Sequence, residues 1–183
     1  MIERLKGWYR QNGKSCPWWC PFKAWQRLKH FLKRESWEKG IGIINVDSKI
    51  GKRTKVWHYV NIFGSSIGED CIIGSHSEVG YAVIGDRCKI ESGVFICKGV
   101  TLEDDVFVGP NVVFTNDRIP KVVNLDWSIT PTLVKKGASI GANSTIRCGI
   151  TIGEDALIGC GSVVTKDIPT GEVWCGNPAR KLR

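Results

Sequence analysis

The sequence predicts an all-β solenoid: a parallel β-helix of hexapeptide repeats, with a helical extension at its N-terminus and one long protruding loop. Three observations predict it. Every sixth residue from Val134 to Val164 is aliphatic: Val134, Ile140, Ile146, Ile152, Ile158 and Val164. Four places after each comes a small or aliphatic residue, namely Ala138, Ser144, Ile150, Ala156, Ser162 and Ile168. Gly, Asp and Asn fill many of the places between, as in Ile140-Gly141-Ala142-Asn143. A period of six fits neither the 3.6 of a helix nor the alternation of a plain strand. It fits a triangular coil of three short strands and three turns, with the aliphatic residue pointing inward and stacking on its equivalent in the next coil. Gly in the turns suits backbone with φ > 0.

The same register runs upstream. Ile84, Ile90, Ile96, Leu102, Val108 and Phe114 are six apart, and before them come Ile44, Ile50, Val56 and Ile62, then Ile67, Ile73 and Val79. Two steps shrink to five residues, Ile62 to Ile67 and Val79 to Ile84. They are read as single deletions at a corner. The repeat implies about five coils. It breaks between Thr115 and Leu133, where no hexad fits, and an irregular excursion of that length inside a repeat is usually functional. The expected organisation is therefore a basic amphipathic helical extension over 1–41 and a β-helix over 42–183 carrying the loop 115–133.

The extension has its own composition. Residues 1–40 hold 10 Lys/Arg against 3 Asp/Glu, while residues 41–183 hold 16 against 15. The solenoid is nearly neutral, which argues against a nucleic-acid partner. Ile2, Leu5, Trp8 and Tyr9 have helical spacing. After Pro21, the residues Phe22, Trp25, Leu28, Phe31 and Leu32 form an apolar stripe bordered by Lys23, Arg27, Lys29, Lys33 and Arg34. Two readings stand: a cap over the open end of the solenoid, or contact with an anionic membrane surface. No run of apolar residues is long enough for a spanning helix, and the first residues lack the apolar core of a signal peptide. A cytoplasmic location is expected, peripheral at the inner membrane face on the second reading. The eight cysteines show no CxxC pair. Cys71 and Cys88 fall on the small position of their hexads and read as packing thiols, and the Cys16/Cys20 pair lacks partners for zinc. No metal is expected.

Candidate chemistry collects in the coils. His58 and His76 lie one coil apart near one edge of the prism, and Glu91, Ser92 and Asn111 follow along the same edge. His30, the third histidine, is in the basic extension.

Certain motifs resemble those of the hexapeptide-repeat acyltransferases: Phe114-Thr115-Asn116-Asp117, Ile140-Gly141-Ala142-Asn143-Ser144-Thr145-Ile146, Gly161-Ser162-Val163-Val164-Thr165-Lys166-Asp167-Ile168-Pro169 and Gly176-Asn177-Pro178-Ala179-Arg180. The subgroup that acetylates 3-amino sugars linked to UDP or dTDP is the most similar, through Val56-Trp57-His58, Val100-Thr101-Leu102-Glu103-Asp104 and Thr132-Leu133-Val134-Lys135-Lys136-Gly137-Ala138. The resemblance implies a left-handed β-helix, a homotrimer with its sites between subunits, and acetyl-CoA as co-substrate. It implies a sugar acceptor, nucleotide-linked, in surface-polysaccharide biosynthesis. Gly141, Ala142 and Gly159 would let the pantetheine approach the backbone, Lys166 and Arg180 would face the phosphates, and Asn116 would sit near acceptor and thioester. Asp117, Glu91 and Asn111 would line the acceptor side. The chain departs from the subgroup at Ser75-His76, Glu91-Ser92-Gly93 and Pro120-Lys121.

The expected activity is acetylation of an amino or a hydroxyl group. A hydroxyl acceptor needs a general base, for which His76 or His58 is the candidate. An amine can react from its own free-base fraction with Asn116 positioning it. Asp117 can orient an amine or cap the loop turn. Two rival readings are a γ-type carbonic anhydrase-like protein, for which a third coil histidine is missing, and a non-catalytic trimeric scaffold.

Overall fold

A hexad with one inward aliphatic residue can bury it only against hexads above and below. In the computed structural model, which describes residues 38–39, 42–44 and 47–182, the chain satisfies this by coiling into a left-handed parallel β-helix of about seven turns. Among the described residues the strands form three sheets of nine, seven and six strands. Face 1 runs from Glu38–Lys39 to Val173–Cys175, face 2 from Gly42–Ile44 to Val163–Val164, and face 3 from Lys49–Ile50 to Thr151–Ile152. Pairing between coils is parallel throughout, except that Arg180–Lys181 turns back antiparallel on Val173–Cys175.

The prism is longer than the five coils expected. The nineteen aliphatic positions named above make six coils when taken three to a coil. Rungs at both ends add to them. Glu38 and Lys39 pair with Lys55 and Val56, so the ladder starts inside the stretch 1–41. Of the helical extension expected over 1–41, residues 1–37, 40 and 41, with His30, Cys16 and Cys20, lie outside the described residues. No helix among the described residues is long and apolar enough to cross a membrane.

The aliphatic column is the core. Ile62, Ile73, Ile90, Ile96, Ile140, Ile146, Ile152 and Ile158 are fully buried, each between its equivalents in adjacent coils, for instance Ile90 between Ile73 and Val108. The small position is a second buried column. Ser144 Oγ donates to Gly141 O at 2.8 Å, and Cys71 and Cys88 Sγ donate to Gly85 O and Glu103 O, each at 3.1 Å. The six described cysteines are free thiols. Both five-residue steps fall at the corner between faces 2 and 3, one above the other. Tyr81 there packs edge-on against Phe63 at 5.4 Å, and a side chain on Gly64 or Gly80 would strike one ring or the other.

The excursion leaves after Phe114 and ends before Thr132, two residues earlier than the hexad pattern suggested. Thr132 is buried and pairs with Val100. The loop is tied down at both feet: Cys148 N–H donates to Thr115 Oγ1 at 3.1 Å and Gly149 N–H to Thr132 Oγ1 at 3.2 Å. Between the feet Ile119, Val122, Val123, Leu125 and Trp127 are exposed, Val122 and Leu125 almost wholly.

Candidate active site

The corner between faces 1 and 2 is a vertical column of turns. Backbone N–H groups link it rung by rung: His76 to His58 O, Gly93 to Ser75 O, Asn111 to Ser92 O, Asn143 to Pro110 O and Gly161 to Ala142 O. One residue per turn must be left-handed, and Tyr59, His76, Gly93, Asn111, Asn143 and Gly161 fill that place. Asn tolerates it through local hydrogen bonding and His is also enriched there, but Tyr adopts it less readily. The register thus makes Tyr59, not His58, the equivalent of His76. Their rings stack, with centroids 5.1 Å apart and planes 20° from parallel, and His58 is tilted against Tyr59 at 6.2 Å. Both histidines are exposed.

Seven of the predicted site residues share this corner: His58, His76, Glu91, Asn111, Gly141, Ala142 and Gly159. Glu91 receives an ion pair from Lys89 at 2.7 Å. Trp57, Ile72, Ser75, Lys89, Glu91 and Ser92 line a groove of about 370 Å³ beside it. Spacing alone had not singled out Trp57 and Lys89 for this groove; their rungs do so only when stacked. Two of the glycines have a reason inside the solenoid. A Cβ on Gly141 would come within 2.6 Å of Cys160 N and 2.8 Å of Ile158 O, and one on Gly159 within 2.7 Å of Cys175 Cβ. Glycine is therefore demanded by the next coil, whatever lies outside. Arg180 pairs with Cys175 at the last rung of the same corner and its guanidinium donates to Ala179 O at 2.9 Å.

The remaining predicted residues lie on the other side of face 2. Asn116 and Asp117 follow the loop foot at the corner of faces 2 and 3, and Lys166 stands two rungs further on. Asp117 Oδ1 accepts from Ile119 N–H at 2.9 Å, the turn-capping alternative. The two corners lie at opposite ends of face 2, and two rungs, about 10 Å, also separate His76 from Asn116, so one protomer does not bring the histidines to Asn116. Among the described residues no three His, Cys, Asp or Glu side chains are grouped so as to hold a metal ion.

The third corner, between faces 3 and 1, carries an ion ladder. Arg87 reaches Asp104 at 3.1 Å and Asp105 at 2.6 Å, and Arg53 reaches Glu69 at 2.9 Å and Asp70 at 2.6 Å. The Arg87 guanidinium holds the Asp105 carboxyl below the usual range. Asp104 is held low first by the Asp86 backbone N–H and then by Arg87. These charges are mutually satisfied and tie successive coils together.

Residues 81–116 and 131–166 match the sequence model of the bacterial transferase hexapeptide family (six repeats). The loop falls between the two matched blocks. Among curated relatives, the bifunctional protein GlmU of Listeria welshimeri is 41% identical over 69 residues, which is 37% of this chain and 14% of that protein. The GlmU of Thermodesulfovibrio yellowstonii is 29% identical over 107 residues. The chain thus spans about a seventh to a fifth of these relatives. Among solved structures, a hexapeptide-repeat acetyltransferase from Vibrio cholerae aligns with a TM-score of 0.48 and 19% identity, over 99% of this chain and 88% of that one.

Proposed function

We propose that the protein transfers an acetyl group from acetyl-CoA to an amino or hydroxyl group of a sugar, nucleotide-linked, in surface-polysaccharide biosynthesis. The observation that carries this reading is the pairing of a transferase-type hexapeptide repeat with a 17-residue loop at 115–131 whose two feet are bonded to one later coil. The two halves of the candidate set sit on different corners. They meet if the first corner of one copy faces the second corner of another, which supports a homotrimer with sites between subunits.

Bound acetyl-CoA would supply an acyl carbon activated by a thiolate leaving group. His76 is the favoured base for a hydroxyl acceptor: its imidazole is exposed, steadied by the Tyr59 ring, and accepts no hydrogen bond from a described residue. It would take the acceptor proton as the new C–O bond forms and the C–S bond breaks, and the proton then passes to the departing sulfur. Asn116 would position the acceptor. Glu91, Asn111 and Asp117 would bind it, and Lys166 and Arg180 would meet the CoA phosphates. Ala142, with the backbone at Gly141 and Gly159, would line the path of the pantetheine.

The test is a thermal-shift screen with acetyl-CoA, followed by thiol-release assays across nucleotide sugars. A rise of several degrees with acetyl-CoA and acceptor-dependent thiol release are expected. No stabilisation by acetyl-CoA at millimolar concentration would overturn the reading and revive the scaffold. For a hydroxyl acceptor, His76→Ala should lower kcat by 10²–10⁴-fold. Unchanged activity in both His76→Ala and His58→Ala removes the base.

A further inference from the structure

The Arg147 side chain has no part in the core of the repeat or in the chemistry above. It occupies the place held by Thr115 in the preceding coil and Thr165 in the following one. Its Nε is shut off from solvent and has no hydrogen-bond partner among the described residues. A buried N–H without an acceptor costs about 1–3 kcal/mol, more when charged, and no described residue offsets that cost. The place is also particular. The two residues after Arg147, Cys148 and Gly149, are the ones whose N–H groups hold the loop feet at Thr115 and Thr132. Lys98 and Lys166 stand exposed on the same corner, on either side of the Asn116 and Cys148 rungs. None of the three cations is ion-paired among the described residues, although Lys98 Nζ lies over the Tyr81 ring at 5.4 Å. The carboxylates beside them have other duties, Asp117 accepting from Ile119 N–H at 2.9 Å and Asp167 from Thr151 N–H at 2.8 Å. With rungs about 4.8 Å apart, the cations span about 14 Å.

We propose that this corner is a phosphate seat, with the Arg147 guanidinium as its centre and Lys98 and Lys166 as its ends, at the root of the loop. A guanidinium offers phosphate a planar pair of donors that lysine cannot. The phosphate belongs either to coenzyme A or to the diphosphate of a nucleotide-linked acceptor, and the assignment of it to a substrate rests on the function proposed above.

Calorimetric titration of the full chain with coenzyme A, UDP and inorganic pyrophosphate tests it, using wild type, Arg147→Gln, Arg147→Lys and the remote control Lys49→Gln. Arg147→Gln should weaken at least one of these probes tenfold or more. Arg147→Lys should recover part of the loss, and Lys49→Gln should match wild type. Loss confined to coenzyme A places the cofactor's phosphates on Arg147; loss for UDP and pyrophosphate places the acceptor's diphosphate there. Equal binding by wild type and Arg147→Gln for every probe overturns the seat while leaving the acetyl transfer standing if coenzyme A binds both. If wild type binds pyrophosphate or UDP through Arg147 but not coenzyme A, the seat stands and the acetyl transfer falls. Should Arg147→Gln instead dissociate the oligomer with probe affinity intact, a carboxylate of a second copy is the missing acceptor and the proposal is wrong. If Arg147→Gln fails to fold, Lys166→Gln and Lys98→Gln in the same titrations decide it, since both side chains are exposed.

Discussion

Single residues show how strictly the six-residue period constrains chemistry. Gly141 looked available for a ligand when read along the chain, yet its missing Cβ faces Cys160 N and Ile158 O of the next coil. Gly141→Ala should therefore destabilise by about 1–3 kcal/mol through overpacking, read as a drop of several degrees in Tm. Truncating Ile90, fully buried between two coils, should cost about 2–5 kcal/mol, with the loss visible as a lower denaturant midpoint. The thiols divide by position. Burial pushes Cys97 up to about 11, and Cys88 is pushed up by its contact with Cys71 and by burial. In a Cys16→Ser/Cys20→Ser background, a thiol reagent at pH 8 should modify exposed Cys160 quickly and reach Cys88 and Cys97 only on unfolding. Rapid modification of all of them would contradict the buried column.

At the scale of elements, the corners do different work although the same hexad builds all three. The corner of faces 3 and 1 stabilises through charge. Asp105 and Asp104 titrate below their unfolded values of about 3.9, so their contribution is complete above that pH and is lost as pH falls through the folded values. Arg87→Gln should lower stability at neutrality by the ladder's full worth, modest because the ladder is half exposed, and should flatten the acid limb of the stability–pH curve, the gap to wild type closing as pH falls through the folded values. An unmoved acid limb would show that the ladder contributes nothing. The loop is the reverse case. Its apolar side chains are exposed and its feet are held by Thr115 and Thr132. Replacing residues 118–128 with a short Gly-Ser bridge should leave Tm within a few degrees but abolish acetyl transfer, because the loop would be part of a shared site and not of the core. Retained turnover would detach the loop from function.

At the scale of the whole molecule, a single prism presents its candidate residues on two corners across face 2, with exposed Phe95 and Val113 between them. Sedimentation should report a trimer, and substituting Phe95 by Glu should shift it toward monomer with loss of activity. A monomer active on its own would require a site within one corner.

The sequence by itself determined the prism: period, inward column, small column, the place of both short steps and the existence of the loop, because each hexad is a local unit whose apolar residue has only one face to bury. Asn116 and the two coil histidines were legible as residue types in a transferase-like pattern. Tertiary structure decided what depends on stacking. It set the true number of coils, the equivalence of His76 with Tyr59 and not His58, the groove of Trp57 and Lys89, the packing duty of Gly141 and an Arg147 Nε without a hydrogen-bond partner among the described residues. Those follow from register between rungs some eighteen residues apart, where one five-residue step shifts every later neighbour, and linear spacing does not carry that information across a corner.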